Sequence, residues 1–194
     1  MHESSYGLIV EGSYDESVFA EFVGKILSRE PRVFPRPCGG ITQLMRRFPG
    51  FLRELEHAWA GRPVDKALVI RDWCDADLAA GEQRMSQIVE GRQFAFPRGV
   101  KFCCVRQEME AWLLADENAI NCVARQRGGR PVPPVQGQVE EIRNPKETLR
   151  RLLSEAELPY DAEVCREIAH RADIEVLRYR CPSFRSFENK VIDC

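Results

Sequence analysis

A chain of 194 residues, 44% hydrophobic, 30% charged and with a formal net charge of −2, has the make-up of a soluble globule large enough for one domain with a substantial core. No apolar run approaches the length of a membrane span and the amino terminus lacks the basic-then-apolar layout of a signal peptide, so no membrane association and a cytoplasmic location are expected. The charge balance excludes a generic, strongly basic nucleic-acid coat.

Three runs rich in apolar and β-branched residues, over 8–10, 67–70 and 100–105, predict buried strands. The first leads into Glu11-Gly12 and then Ser13-Tyr14-Asp15-Glu16, a candidate capping box opening a helix with Val18, Phe19, Phe22, Val23 and Ile26 on its apolar face. Residues 32–36 predict a short second strand, which Pro35 confines to an edge. Beyond Gly39-Gly40 a helical stretch carries Ile41, Leu44, Met45, Phe48, Leu52 and Leu55, with an interruption expected near Pro49-Gly50. The strand over 67–70 runs into an acidic loop and then a helix around 82–90 that turns Met85, Ile88 and Val89 inward. The strand over 100–105 delivers Glu108 and Glu110 to the start of another helix, striped by Met109, Trp112 and Leu113.

Residues 125–144, rich in Gly, Pro, Gln and Arg without a sustained period, read as a long exposed loop. Asn144 as N-cap and Pro145 as first helical residue start a helix that buries Leu149, Leu152 and Leu153. Two or three short helices follow over 162–192, the last capped by Ser183 and anchored by Phe184 and Phe187. Strands alternating with helices predict an α/β fold with a mostly parallel central sheet flanked by helices. We expect a single domain over 1–194, in which a core over 6–120 carries a helical extension over 144–194 packed on it.

Every predicted core strand is followed by acid: Glu11, then Asp72, Asp75 and Asp77, then Glu108 and Glu110. Ligands of α/β sheets gather outside the carboxyl ends of parallel strands, so these side chains are expected to converge on one small volume. Such a cluster is costly unless a cation neutralises it. All-oxygen donors suit Mg²⁺ or Mn²⁺ better than zinc, which points to hard-metal chemistry on phosphate. Asp72, nearest its strand, ranks first; Asp75 and Asp77, which form a D-x-D, come next, and one of Glu108 and Glu110 completes the set. Plainer readings stand beside these, since the macrodipole favours acids at helix starts and turns attract aspartate.

Lys146 is a candidate phosphate contact, with a merely solvated helix residue as the alternative. Arginine outnumbers lysine and clusters at Arg46 with Arg47, Arg150 with Arg151, and Arg178 with Arg180. These pairs could line a surface for a phosphate backbone or simply be solvated helix faces. The eight cysteines form no C-x-x-C pair and the histidines complete no zinc spacing. Most cysteines are expected as small buried hydrophobes, Cys74 in the acidic loop being the exception. Trp112, Phe184 and Phe187 are assigned to the core.

The segment Leu8-Ile9-Val10-Glu11-Gly12 with Asp15 resembles the first motif of Toprim domains, the catalytic fold shared by topoisomerases, primases and the overcoming-lysogenisation-defect nucleases. The strand ending in Asp72 and its neighbouring acids resembles their second motif. The run Gln107-Glu108-Met109-Glu110-Ala111-Trp112-Leu113-Leu114-Ala115-Asp116, then Asn144-Pro145-Lys146 with Leu149, then Cys181-Pro182-Ser183-Phe184 with Phe187, resembles a bacterial Toprim-like family, domain of unknown function family 4276. The resemblance implies a Rossmann-like Toprim core with Mg²⁺-dependent phosphodiester chemistry, often in phage-defence settings. Under it Glu11 would be the general acid/base or a metal ligand, Asp72 to Asp77 would hold metal, and Glu110 or Glu108 would complete the site. One departure stands out: Toprim proteins place D-x-D directly after the strand, which here would pair Asp72 with Cys74, whereas the intact pair is shifted to Asp75 and Asp77.

The leading expectation is a metal-dependent nuclease on nucleic acid, DNA before RNA. The main alternative is a non-catalytic or partner-activated module, paired with an ATPase, that keeps the fold; the chain itself carries no P-loop. An aspartyl phosphatase is a third reading, which leaves Glu11 unexplained.

Overall fold

The computed structural model describes residues 4–193. Its sheet consists of β1 (Ser5–Val10), β2 (Arg32–Pro37), β3 (Lys66–Trp73) and β4 (Val100–Arg106), all parallel, in the order β2-β1-β3-β4. Pro35 and Pro37 lie in β2, on the sheet's edge, where a missing N–H leaves no ladder bond unmade on the outer side. The connections are helices α1 (Ser13–Leu27), α2 (Ile41–Leu55) and α3 (Leu78–Ile88).

Side-chain alternation divides the strands between two cores. Leu8, Val10, Leu68, Ile70, Cys103 and Val105 face one way, toward α1 and the carboxyl-terminal helices. Ile9, Ala67, Val69, Trp73 and Cys104 face α2 and α3. Burial on both faces explains why the strands read as unbroken apolar runs.

Beyond β4 come α4 (Glu110–Leu113), α5 (Glu117–Gln126), α6 (Pro145–Glu155), α7 (Ala162–Arg171), α8 (Ile174–Arg180) and α9 (Pro182–Ile192). Helix α7 packs on α1 and α5, and α9 packs on β4 and α1. The carboxyl-terminal helices thereby close the first core around Trp112, which meets Phe19, Phe22, Phe184 and Phe187 with ring centroids 5.1–5.8 Å apart. Edge-to-face geometry predominates in this group, as the ring quadrupoles favour.

Several local expectations are corrected. Helix α2 runs through Pro49 without a break. The proline forfeits one backbone bond, but Leu44, Phe48, Phe51, Leu52 and Leu55 bury a continuous stripe that holds the helix on the sheet. The box at the start of α1 is shifted by one residue: Gly12 is the N-cap, and the Asp15 carboxylate accepts the Gly12 N–H at 2.8 Å. Helix α3 begins earlier than expected because Asp77 caps it, and Ile88 is exposed while Met85 and Val89 are buried.

Ser183 caps nothing. Cys181 is the N-cap of α9 with Pro182 as its first residue, and Ser183 is buried inside. The segment between α5 and α6 is not wholly exposed, since Val132, Val139 and Glu140 are buried and residues Val139–Glu141 form a 3-10 turn. The Glu140 carboxylate accepts the Ser183 N–H at 3.1 Å, the Ser183 hydroxyl, and the Trp112 indole N–H at 3.2 Å. A buried carboxylate thus pins the segment to the aromatic core.

Cys38, Cys103, Cys104, Cys165 and Cys181 are buried, Cys122 is half-buried and Cys74 is exposed, while Cys194 lies outside the described residues. Burial pushes the Cys103, Cys104 and Cys165 thiols up to about 12, which keeps them protonated.

Candidate functional site

In a sheet of this order the chain steps from β1 to β2 on one side and then crosses back to β3 on the other, so the strand order reverses between β1 and β3 and a crevice opens outside their carboxyl ends. Glu11 follows β1 and Asp72 is the penultimate residue of β3. Glu11 ties the strand ends together. Its Oε1 accepts the Asp72 backbone N–H at 3.0 Å, and its own carbonyl accepts the N–H groups of Gly39 and Gly40, each at 2.8 Å. Gly40 enters α2 at φ 107°, a conformation that suits glycine.

Four further elements bring acids or their partners to the same place. Asp15 lies one turn into α1 from Glu11. Glu108 follows β4, and its Oε2 accepts the Lys146 backbone N–H at 2.9 Å. It thereby supplies the cap for α6 that the Asn144 side chain does not. Glu110 is 4% exposed and accepts a hydrogen bond from the Tyr160 hydroxyl, with the Lys146 ammonium 4.0 Å away. Tyr160 stacks on Tyr14 with centroids 5.3 Å apart, and Arg150 lies over Tyr160 at 4.8 Å. Glu11, Asp15, Asp72, Glu108, Glu110 and Lys146 all line one cavity of about 400 Å³.

The electrostatics follow from this crowding. Burial pushes Asp72 well above the ordinary carboxylate range, and the charges of Asp15, Glu11, Glu110 and Glu108 push it further. Asp15 is raised to about 7, first by burial, against the pull of its bond to Gly12, then by Glu110 and Glu11. Burial also raises Glu11, opposed by its bond from Asp72 and by Arg71. Five carboxylates faced by so little positive charge form a donor set that fits a hard divalent cation. Among the described residues no three Asp, Glu, His or Cys side chains are drawn together closely enough to hold an ion as they stand.

A raised folded-state pKa means the native state binds the proton more tightly than the unfolded chain does. The stability contributed by Asp15 and Asp72 is therefore complete below the ordinary carboxylate value of 3.8 and is lost as pH rises, through about 7 for Asp15. The melting temperature in chelator should accordingly fall from about pH 5 to about pH 8, and Mg²⁺ should restore part of it at the higher pH. Scanning fluorimetry checks this; a flat profile indifferent to Mg²⁺ would contradict it.

The structure does not bring every sequence-predicted residue inward. Asp75 is exposed, and its Oδ1 accepts the Asp77 N–H at 3.1 Å. Asp77 is exposed too, its Oδ1 accepting the Ala80 N–H at 3.1 Å as the cap of α3. The shifted D-x-D thus has turn and cap duties, although Asp75 lines a second cavity beside the first. Of the arginine clusters, Arg178 is engaged by Glu175 and Glu188, and Arg180 by the carbonyls of Ala115, Val135 and Gly137. Asp15, Tyr160 and Arg71 were not among the expected site residues. Asp15 is carried with Glu11 in the segment that resembles the first Toprim motif, which could have pointed to it; nothing in the sequence pointed to Tyr160.

The profile of the family described as Domain of unknown function (DUF4276) matches residues 10–192. The chain belongs to this family. Among solved structures, this DUF4276 chain is similar to the C-terminal region of the Burkholderia pseudomallei OLD protein, with 13% identity, a TM-score of 0.52 and 98% of each chain covered. At that identity the likeness is one of fold, and it agrees with the Toprim-like α/β architecture expected from the motifs. No curated protein matches the DUF4276 chain. Among its described residues no helix is long and apolar enough to cross a membrane.

Proposed function

We propose that the chain is a metal-dependent phosphodiesterase acting on nucleic acid, a nuclease of Toprim type. The observation that carries this reading is the convergence of Glu11, Asp15, Asp72, Glu108 and Glu110 on one cavity at the switch point of the sheet. Glu11, Asp72 and Glu108, with Asp15, would hold Mg²⁺ or Mn²⁺. When bound, the cation would neutralise charge on the scissile phosphate and lower the pKa of attacking water. Glu11, its pKa raised by burial and its carboxylate aimed by the bond it accepts from the Asp72 N–H, would take up or return the proton. Lys146, 42% exposed at the cavity's rim, is placed to meet a phosphate oxygen.

The motif resemblance, beside a fold it agrees with, favours DNA before RNA as substrate, a role in phage defence and an ATPase supplied by a partner. The test is cleavage of supercoiled DNA, linear DNA and RNA in Mg²⁺, Mn²⁺ and chelator. Metal-dependent cleavage is expected. Its absence on all three substrates would leave the second reading, a partner-activated or non-catalytic module. That reading is favoured by one observation of its own, the diversion of Asp75 and Asp77 to turn and cap bonds.

A further inference from the structure

On the α3 side of the carboxylates lies a cavity of about 520 Å³, within the range of small-molecule sites. Glu11, Asp72 and Glu108 line it as well as the Lys146 cavity, so they form the wall between the two. The far side is chemically different. Alternation along β3 sends Arg71 to the face opposite Asp72, where its guanidinium lies 4.5 Å from the centre of the Trp73 ring, and Arg84 of α3 lies 5.3 Å from the same ring. Two guanidinium groups therefore share one indole at the cavity's edge.

Among the described residues Arg71 and Arg84 make no ion pair, and the one hydrogen bond from Arg71 goes to the Met45 sulfur at 3.9 Å. The Arg71 Nε is buried without any acceptor. Arg127 and Arg178, by contrast, are paired with Glu167 and Glu188. Adjacent like charges held against one ring, with donors unspent, are arranged for an anion with several acceptor oxygens. Ile41, exposed at the cavity's edge, supplies an apolar surface beside them against which a sugar or base can rest.

We infer that Arg71 and Arg84 form a phosphate clamp for the nucleotide next to the scissile phosphodiester, so that the strand runs from the Lys146 cavity over the carboxylates into the arginine cleft. The inference rests on the nucleic-acid reading above and adds the path of the strand and the residues that hold it. Arg71 acts by binding, through charge and a planar fork that lysine lacks.

The test is fluorescence anisotropy with a short fluorescein-labelled DNA, single-stranded and duplex, in Ca²⁺ across a salt series, with cleavage in Mg²⁺ measured in parallel. Arg71→Ala is expected to weaken binding about 10-fold and to reduce the slope of log K against log salt by about 0.7–0.9, the equivalent of one phosphate contact. Arg84→Ala, a change on an exposed helix face with no folding risk, should reduce the slope in the same way. Arg71→Lys should keep most of the slope while losing affinity. Parent cleavage combined with unchanged affinity and slope in Arg71→Ala and Arg84→Ala would overturn the clamp and leave the nuclease reading intact. Binding that depends on both arginines without cleavage would uphold the clamp and remove the nuclease reading. A parent that binds neither DNA would overturn the clamp and, with no cleavage of DNA or RNA, the nuclease reading as well.

Discussion

Asp72→Ala and Glu11→Ala are each expected to lower the cleavage rate of an active parent by a factor of about 10²–10⁴, the range associated with loss of a proton-transfer or metal-holding group. Asp75→Ala should stay within about 3-fold of the parent, because its side chain serves an exposed turn. Asp77→Ala should cost about 1 kcal/mol of stability through loss of the α3 cap, with little effect on rate. These expectations separate roles that the sequence presents as one acidic run. Asp72 sits within β3 and meets the charges of Glu11, Asp15, Glu108 and Glu110, while its two neighbours point to solvent. Steady-state rates on one DNA substrate, with each variant checked by melting, decide the matter. Inactive Asp75→Ala and Asp77→Ala beside an active Asp72→Ala would move the site into the loop.

Trp112→Ala is expected to be the most damaging substitution for stability, at about 3–5 kcal/mol. The indole is 0% exposed and touches four phenylalanines from α1 and α9. Its removal opens a large cavity where the carboxyl-terminal helices meet the sheet, and it also deprives the buried Glu140 carboxylate of a donor. For a domain of this size the melting temperature should fall by about 6–20 °C. Trp112→Phe, which keeps a ring but loses the N–H, should cost about 1–3 kcal/mol. Denaturant titration of the three proteins checks the order. Equal stability of Trp112→Ala and Trp112→Phe would contradict a core built around this ring.

Much of the fold could be read from residue pattern because burial on both faces of a parallel sheet writes itself as apolar runs, and β-strand edges admit proline as β2 does. The Trp112, Phe184 and Phe187 assignment rested on the same kind of pattern and agrees with their burial. Helix limits were less legible. Pro49 argued locally for a break that tertiary burial of the α2 stripe overrides, and Ser183 looked like a cap but is a buried hydroxyl bonded to Glu140.

Aspartate near a strand end carries the same signal whether it faces a ligand, closes a turn or caps a helix, so Asp72, Asp75 and Asp77 could not be told apart by composition. Their directions depend on where β3 stops and α3 starts. Tyr160 reaches Glu110 across 50 residues of sequence, and the unspent charge of Arg71 becomes visible only once Trp73, Arg84 and Met45 are placed around it.

The central claim is that the converging carboxylates hold a hard divalent cation, and calorimetric titration of Mn²⁺ into the metal-free protein, without nucleic acid, tests it most directly. The parent should bind Mn²⁺, while Asp72→Asn and Glu11→Gln, folded by circular dichroism, should lose most of that binding and Asp75→Asn should retain it. A folded parent that takes up no Mn²⁺, or variants of Asp72 and Glu11 that titrate like the parent, would contradict the account.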